Sequence, residues 1–522
     1  MDRAILARLG AMFSLLTVVL AAGVGCASRP DFPAPVSVRP LNGEKKLVFD
    51  VDGDGHADYW QFRGPDGRVR ALAYADDPTG PGPRIELDEI PASACPHFII
   101  VLDGVPFDVV ADMYRDGHFR LFHPPVKVIS GYPAMTDLAL AELFHVGPCL
   151  GYEALYFDRQ ANRLSDGSAV YLSGRNSPWL PLMNYRCSLW WDVKVYLDPQ
   201  AVFDHELRGI ADTFAGIEGG RACAYSVGTA GLGTRGGRPA IEQYLVAIDR
   251  LCERIVYERR GQVKITLTAD HGHNLVVGQR VSFNDALKAA GYRPTSTLRN
   301  SRDVVTISYG LVTYAEFHTR DPAGVAACLV QHPDVEFVCY PEGDTIVVAD
   351  RAGHARIRRT ATGFAYDAQT GDPLKLTAIV AELRGAGRVA EDGSIDDAAL
   401  FAATVEHEYP DALRRLWEAF NRQALNPPDV IANLRDGACH GSGFFHAMVG
   451  TVASTHGSLN RMNSVTLALT MLGDLPPALR TKDLLPALEA LVQPPRDAPS
   501  SPGGVRGGLE PEVSQRRMRM SQ

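Results

Sequence analysis

The sequence lacks a surplus of positive charge. Its 522 residues include 52 lysines and arginines against 61 aspartates and glutamates, which gives a formal net charge of -9. Proteins whose main partner is a nucleic acid grip the phosphate backbone with a surface rich in lysine and arginine. The sequence contains no such stripe, so we do not expect it to bind nucleic-acid duplexes.

The sequence also lacks closely spaced cysteine pairs. None of its nine cysteines is arranged as Cys-x-x-Cys, so a zinc cluster held by thiolates is not predicted. Eight cysteines remain if Cys26 is set aside as a processing site. An oxidising compartment could pair them, but one sequence does not determine the pairing.

A long apolar run is missing at the N-terminus as well. Residues 11–22 are apolar but too short to span a bilayer comfortably, and they follow Arg3 and Arg8. With Cys26 after them, residues 1–26 resemble a bacterial lipoprotein signal that is cleaved before Cys26 and leaves a lipid on its thiol. Simple secretion and an uncleaved anchor are the alternatives. The chain is therefore predicted to be exported to the bacterial cell envelope or periplasm, with the lipid as its contact with the membrane.

What is present is the composition of a large globular protein, with 46% hydrophobic and 22% charged residues. Such a chain can bury one large core and carry smaller additions. The changes in composition along the chain predict the following parts: a Pro-rich linker at 27–46, a small β region at 47–93, an α/β domain at 94–300 and 360–488, an α+β insertion at 301–359, and a disordered tail at 491–522.

An acidic loop lies inside the small β region. It places aspartates at loop positions one, three, five and nine, namely Asp50, Asp52, Asp54 and Asp58. Gly55 at position six permits a sharp turn, and carboxylate oxygens are ligands for a hard cation. The flanking residues look like strands, so we predict a calcium-stabilised β-hairpin. The alternative is an acidic turn that holds no ion.

Two short apolar segments predict the centre of the α/β domain. Residues 97–102 and 262–269 have the pattern of buried strands, and an amphipathic helix is predicted at 240–258. This alternation predicts a doubly wound, largely parallel sheet. Ligands of such sheets gather beyond the carboxyl ends of the strands, where Asp103 and Asp270 fall.

Asp270 is followed by His271 and Gly272. A carboxylate and an imidazole at a strand end can ligate a metal, and the glycine allows close approach of the backbone. An Asx turn with surface histidines is the alternative. Elsewhere, Thr136 precedes an apolar helix predicted at 138–145, and its local sequence favours an N-cap. His456 lies on a loop before a strand, where most histidines are solvated.

Taken together, these segments occur in an order that resembles the alkaline phosphatase superfamily, and within it the type I phosphodiesterase/nucleotide pyrophosphatase branch. The resemblance covers about residues 95–297 and 360–475. It implies hydrolysis of a small phosphate ester or nucleotide-like substrate at one or two zinc ions. Asp103, Thr136, Asp270 and His271 would hold one ion, with Thr136 as the nucleophile, and His456 would belong to the other.

The second zinc site departs from the family pattern. Its acid and imidazole correspond here to Ala230 and Thr234, which are poor replacements. His456 would then need help from His273, His440 or another residue. The sequence therefore leaves two hypotheses: a metal-dependent hydrolase, or a degenerate envelope protein that binds a metal or anion without turnover. A sulfatase or mutase of the superfamily fits less well, because a Cys-x-Pro-x-Arg-type region is missing and the nucleophile position holds threonine.

Overall fold

The structure is a computed structural model that describes residues 31–77 and 80–493. The predicted signal with Cys26, the start of the predicted linker and all but the first residues of the predicted tail lie outside this range. Within it, no helix combines the length and the apolar character needed to cross a bilayer.

The described strands are numbered in chain order: β1 (Ser37–Leu41), β2 (Glu44–Phe49), β3 (Tyr59–Arg63), β4 (Val69–Asp77), β5 (Gly80–Pro81), β6 (Ile85–Glu86), β7 (His97–Leu102), β8 (Val126–Ile129), β9 (Phe157–Asp158), β10 (Arg163–Leu164), β11 (Arg221–Ser226), β12 (Lys264–Ala269), β13 (Gln279–Arg280), β14 (Arg293–Pro294), β15 (Asp303–Thr306), β16 (Leu311–Val312), β17 (Tyr314–Thr319), β18 (Val335–Glu342), β19 (Thr345–Ala349), β20 (His354–Arg359), β21 (Gly363–Thr370), β22 (Ile395–Asp396), β23 (Val430–Leu434), β24 (Ala438–Gly441), β25 (Val465–Thr470) and β26 (Ala478–Arg480).

The described α-helices are numbered in the same way: α1 (Phe107–Arg115), α2 (Thr136–Leu143), α3 (Gly167–Leu172), α4 (Leu189–Lys194), α5 (Pro199–Ala215), α6 (Gly228–Glu258), α7 (Asn284–Ala289), α8 (Pro322–Leu329), α9 (Thr377–Gly385), α10 (Asp397–Thr404), α11 (Ala412–Asn421), α12 (Gly443–Val449), α13 (Arg461–Ser464) and α14 (Thr481–Val492). Short 3-10 turns lie at Ala92–Ala94 and Leu180–Leu182. Helix α6 is interrupted at Gly237, whose φ is +62°, just before Pro239.

The N-terminal sheet is larger than the predicted hairpin. Strands β1 to β4 form an antiparallel meander, and β5 and β6 pair with β4. The predicted hairpin is present inside it, because β2 and β3 flank the acidic loop and pair Phe49 with Tyr59. Strand β1 lies within the segment predicted to be a linker. Phe32, from the same segment, packs 5.5 Å from Phe49 and 5.8 Å from Tyr59 between ring centroids, so this part belongs to the folded body.

The central sheet has the order β11-β7-β12-β25-β8-β26. Strand β25 runs antiparallel to both neighbours, and the other five strands run parallel to one another. Every residue of β7, β12 and β25 is buried. Alternate residues of β7 enter different cores: Phe98 packs with helices α5 and α6, whereas Ile99 packs with α2 and α14. The predicted largely parallel sheet with helices on both faces is therefore present.

The second large sheet extends well beyond the predicted insertion. Its order is β14-β15-β17-β23-β18-β19-β20-β21-β22, and only its edge pair β14 and β15 is parallel. Strands β15 to β20 lie near the predicted bounds of 301–359. Strand β23, however, comes from residues 430–434 and occupies the middle of the sheet between β17 and β18. The α+β region is thus built from two separated pieces of the chain.

Candidate metal centre

Two carboxylates leave the central sheet side by side. Strands β7 and β12 are parallel neighbours, and Leu102 is the register partner of Ala269. The next residues, Asp103 and Asp270, therefore emerge together at the carboxyl edge of the sheet, as predicted. Both are buried, with exposed fractions of 5% and 0%.

His271 directs one ring nitrogen between these carboxylates. Its Nε2 lies 3.6 Å from Oδ1 of Asp103 and 3.5 Å from Oδ2 of Asp270. Its Nδ1 lies 2.9 Å from the carbonyl oxygen of Gly272. Because a carbonyl only accepts hydrogen bonds, Nδ1 carries the proton and Nε2 keeps its lone pair. The three side chains can offer ligand atoms that all lie within 4.8 Å of one another.

The carboxylate oxygens nearest His271 have no hydrogen-bond partner. Oδ1 of Asp103 and Oδ2 of Asp270 are both buried and unpaired. The other two oxygens are occupied: Oδ2 of Asp103 accepts from the Tyr225 hydroxyl at 2.5 Å, and Oδ1 of Asp270 accepts from the N–H groups of Gly104 and His271. Protein donors thus fix both carboxylates and leave one free oxygen on each, directed toward His271.

The electrostatics of this group favour a cation. Burial, and then Asp270, raise the pKa of Asp103 well above its ordinary value, and burial raises the pKa of Asp270 to about 6. Burial lowers the pKa of His271 to about 4, so its imidazole is neutral near pH 7. Among the described residues, no lysine or arginine forms an ion pair with either carboxylate. Two buried acids and a bare imidazole nitrogen fit a divalent ion such as zinc, whose charge would offset that of the acids.

Thr136 is not the N-cap that the local sequence favours. The helix begins at Thr136 itself, and Met135 is the capping residue, because the N–H of Ala139 bonds to the carbonyl of Met135. The Thr136 hydroxyl is therefore free of a capping role. Its Oγ1 lies 3.3 Å from Nε2 of His271, on the same side as the partnerless carboxylate oxygens. The structure thus brings together Asp103, Thr136, Asp270 and His271.

Two further histidines adjoin this centre. The ring of His456 stacks on the ring of His271 with 4.0 Å between their centroids. The ring centroid of His273 lies 5.3 Å from that of His456. His440 lies elsewhere, with Nε2 3.0 Å from Ser308 Oγ and from the carbonyl of Ile307. Of the candidates to support His456, the structure therefore brings His273 to the centre and not His440.

Ala230 and Thr234 lie on the first turns of helix α6, one turn apart. Ala230 packs in an apolar cluster with Tyr225 and Val227, and Thr234 is buried without offering an acid or an imidazole. The segment in which the resemblance locates second-site ligands therefore contributes none of the expected type.

Tyr225 is a residue that sequence reasoning missed. It lies on β11, next to β7, where its hydroxyl donates to Asp103. Its position at the end of a strand parallel to the one that carries Asp103 is the signal that could have identified it. Such partners orient metal ligands and are part of a working site.

The acidic loop between β2 and β3 is the second cluster of carboxylates. Ligand atoms of Asp50, Asp52 and Asp58 lie within 4.8 Å of one another, whereas Asp54 is outside this group. The loop carboxylates accept hydrogen bonds from backbone N–H groups, including Gly53 to Asp50 and Asp54 to Asp52. Calcium binding here stays a prediction.

The cysteines are unpaired in the described part of the chain. All eight that follow Cys26 are free thiols, and all except Cys328 are buried. Their burial is typical of small apolar side chains in a core.

No family model and no curated protein matches the sequence. Solved structures do match it. Phosphonoacetate hydrolase from Sinorhizobium meliloti 1021, in complex with phosphonoacetate, is 11% identical, with 79% of this chain and 97% of the hydrolase covered and a TM-score of 0.42. Human ectonucleotide pyrophosphatase/phosphodiesterase 5 is 11% identical, with coverages of 76% and 94% and a TM-score of 0.41.

An inactive form of the murine ectonucleotide pyrophosphatase/phosphodiesterase 5, in complex with AMP, matches with the same identity, coverages and TM-score as the human protein. At 11% identity the similarities say nothing about the substrate of this chain, so its chemistry is inferred from the residues of the centre.

Proposed function

We propose that this chain is a metal-dependent hydrolase of phosphate esters, of the phosphodiesterase/nucleotide pyrophosphatase type, with Thr136 as its nucleophile. The observation that carries the proposal is the position of Thr136 Oγ1, 3.3 Å from His271 Nε2 and beside the partnerless oxygens of two buried carboxylates. An alcohol held among metal ligands is the arrangement that such a reaction needs.

The residues that would hold the cation are Asp103, Thr136, Asp270 and His271. When bound, a zinc ion would lower the pKa of the threonine hydroxyl and offset the negative charge of the phosphate ester. Tyr225 fixes Asp103, and the N–H groups of Gly104 and His271 fix Asp270, so these ligands are oriented before a cation arrives.

In the proposed reaction, Thr136 gives its proton to water and its Oγ forms a bond to phosphorus. The bond from phosphorus to the leaving oxygen breaks on the opposite side, and the released alkoxide takes up a proton from water to leave as the alcohol. Water then hydrolyses the phosphorylated threonine, which restores the Thr136 hydroxyl and releases the phosphate product. Because Thr136 is the first residue of α2, the unpaired N–H groups of this first turn lie next to the nucleophile. They can donate to the phosphate oxygens as charge develops.

The second candidate function is an envelope protein that binds a metal or an anion without turnover. Ala230 and Thr234 favour it, because they remove an acid and an imidazole from the place where the resemblance expects a second zinc ion. The two candidates share the first cation and differ in whether a phosphate ester is cleaved.

The experiment that separates them measures hydrolysis of bis(p-nitrophenyl) phosphate by the zinc-loaded protein. We expect turnover that falls by about 10³-fold or more in Thr136→Ala, because the nucleophile is lost. Thr136→Ser keeps a hydroxyl and is the matched control, which should retain a measurable part of the rate. A wild-type protein that holds zinc but releases no p-nitrophenol would favour the binding function for this substrate class.

We also infer that the chain acts outside the cytoplasm of a bacterium, held at the membrane by a lipid on Cys26. The N-terminal residues 1–26 support this placement. Calcium at Asp50, Asp52, Asp54 and Asp58 would be structural and would take no part in the reaction.

A further inference from the structure

We propose that His273 and His456 bind a second divalent cation, such as zinc, beside the centre formed by Asp103, Asp270 and His271. This inference rests on the proposed function only in taking that centre as a cation site. It assigns to His273 the place that Ala230 and Thr234 leave without a ligand.

The first observation is the state of the His273 ring. The side chain is fully buried, with an exposed fraction of 0%, and its Nε2 has no hydrogen-bond partner. A buried polar atom without a partner is costly, and a native protein rarely keeps one without a ligand, an ion or a water to satisfy it. The ring therefore has an unused nitrogen inside the protein.

The second observation is that the other ring nitrogen is held. Nδ1 of His273 lies 2.9 Å from Ser454 Oγ, which in turn donates to Oδ1 of Asn274 at 3.3 Å. With the hydroxyl proton of Ser454 given to Asn274, His273 donates from Nδ1 and keeps the lone pair on Nε2. This is the tautomer that a metal requires, fixed by a partner behind the ring.

His456 is prepared in the same way. Its Nδ1 donates to the carbonyl of Ala134 at 2.9 Å, which leaves the lone pair on Nε2. Its ring stacks on His271, a residue of the first centre, and the ring centroids of His456 and His273 are 5.3 Å apart. Two neutral imidazoles with bare Nε2 atoms thus stand next to each other at the edge of the first centre.

The surroundings of His273 show why its ring can lie so close to the backbone of Gly104, next to the first centre. A Cβ at Gly104 would lie 2.4 Å from Cδ2 and 2.7 Å from Nε2 of His273, so only glycine leaves room for the imidazole. The φ of Gly104 is +67°, which glycine adopts without strain. On its other side the ring meets helix α6, where a Cβ at Gly233 would lie 3.5 Å from Cε1. His273 therefore lies between Gly104, the residue after Asp103, and the first turns of helix α6, which carry Ala230 and Thr234.

Two imidazoles leave further coordination positions open to water or to an oxygen of the substrate. Zinc sites with open positions are the ones that take part in chemistry, whereas closed four-ligand sites are structural. The inferred second cation would thus be held less tightly than the first.

The test counts zinc in the full purified chain, reloaded after chelation and freed of excess metal, by mass spectrometry. We expect two zinc ions per chain in the wild type and one in His273→Asn, because asparagine can keep the contact with Ser454 but lacks a nitrogen at the Nε2 position. His456→Asn should also fall to one. Cobalt loaded in place of zinc gives a second readout, since visible absorption from one of two sites should disappear in each variant.

The matched control is His318→Asn. His318 is likewise buried with partnerless ring nitrogens, but it lies on β17 against Phe157, away from the centre. This variant should keep two zinc ions, and circular dichroism should confirm that all variants are folded. One zinc ion in the wild type, or two in a folded His273→Asn, would overturn the inference. One zinc ion per chain together with turnover would contradict this inference and leave the proposed function standing. Two zinc ions per chain without turnover would support this inference and contradict the proposed function.

Discussion

The two clusters of acidic residues in this protein are built in opposite ways. In the centre, Asp103 and Asp270 are buried and each keeps one oxygen without a partner. In the loop between β2 and β3, Asp50 and Asp52 are half-buried or exposed, and backbone N–H groups of the loop itself satisfy their oxygens. Both clusters place three ligand atoms within 4.8 Å, so proximity alone does not separate them.

The difference lies in what each cluster needs in order to fold. The loop carboxylates act as local acceptors that close a turn, a role that aspartate performs without an ion. The carboxylates of the centre lie in the interior, where no described lysine or arginine forms an ion pair with them, so their ionised form is unfavourable until a cation supplies positive charge. Partnerless buried oxygens are therefore the stronger sign of a cation site.

The largest effect is expected from Asp270→Asn. Asparagine keeps an acceptor for the N–H groups of Gly104 and His271 but removes the charge and one ligand oxygen. We expect zinc affinity to fall by about 10²-fold or more, because losing a direct ligand should cost more than losing a hydrogen-bond partner behind a ligand. Turnover should fall with the affinity. Asp52→Asn in the loop is the matched control and should leave both unchanged. Equal losses of zinc affinity and turnover in the two variants would mean that the buried centre is no more important for zinc binding than the loop.

The pH dependence of stability provides the next comparison. The folded pKa of Asp270 is about 6, against an ordinary value of 3.8. The folded state thus binds this proton more tightly than the unfolded state, so without metal Asp270 makes stability fall as pH rises from about 4 to 6. Zinc supplies the missing charge, and at 100 times its Kd it should add about 2.7 kcal/mol.

The measurement is the melting temperature with and without zinc between pH 4.5 and 7.5. We expect the gap between the two curves to narrow as pH falls, most clearly below pH 6, because protons compete with zinc for Asp270 and for Asp103, whose pKa burial also raises. His271 does not compete in this range, since burial lowers its pKa to about 4. A gap that is constant across the range would contradict a cation bound by Asp270.

A smaller effect is expected from Tyr225→Phe. The hydroxyl donates to Oδ2 of Asp103 at 2.5 Å and so directs the other oxygen toward His271. Its loss should lower zinc affinity by about 10- to 100-fold, the usual effect of removing a partner behind a metal ligand. Tyr74→Phe is the control, because the Tyr74 hydroxyl bonds to the Val256 carbonyl, away from the centre. Equal zinc affinity in both variants would mean that Asp103 needs no orienting partner.

The sequence allowed the ends of the central strands to be predicted because burial on both faces leaves a plain apolar run. Strand β7 was predicted at its observed bounds, and Asp103 and Asp270 followed from the rule for parallel sheets. The N-cap prediction for Thr136 was wrong because it used only neighbours in the chain. The helix begins one residue earlier than a cap there would require.

Features that depend on distant segments could not be predicted in this way. The choice of His273 over His440 depends on packing against Gly104 and helix α6, and a single loop sequence does not show that packing. The extent of the second sheet depends on β23, which pairs with both β17 and β18. In the chain, β18 begins at Val335 and β23 only at Val430. Local patterns predict strands but not which of them become neighbours.

The smallest effects are expected in the acidic loop, and they decide whether this loop binds calcium or is an acidic turn without an ion. Asp58 accepts from the N–H groups of Val51 and Asp52, so Asp58→Asn should cost about 1 kcal/mol of unfolding free energy with or without calcium. Calcium should raise the melting temperature slightly, and Asp50→Asn should abolish that increase. Asp54→Ala, outside the group of three, should reduce it less. A melting temperature that does not respond to calcium or to a chelator would mean that the loop is a turn whose carboxylates are satisfied by its own backbone N–H groups, without a bound cation.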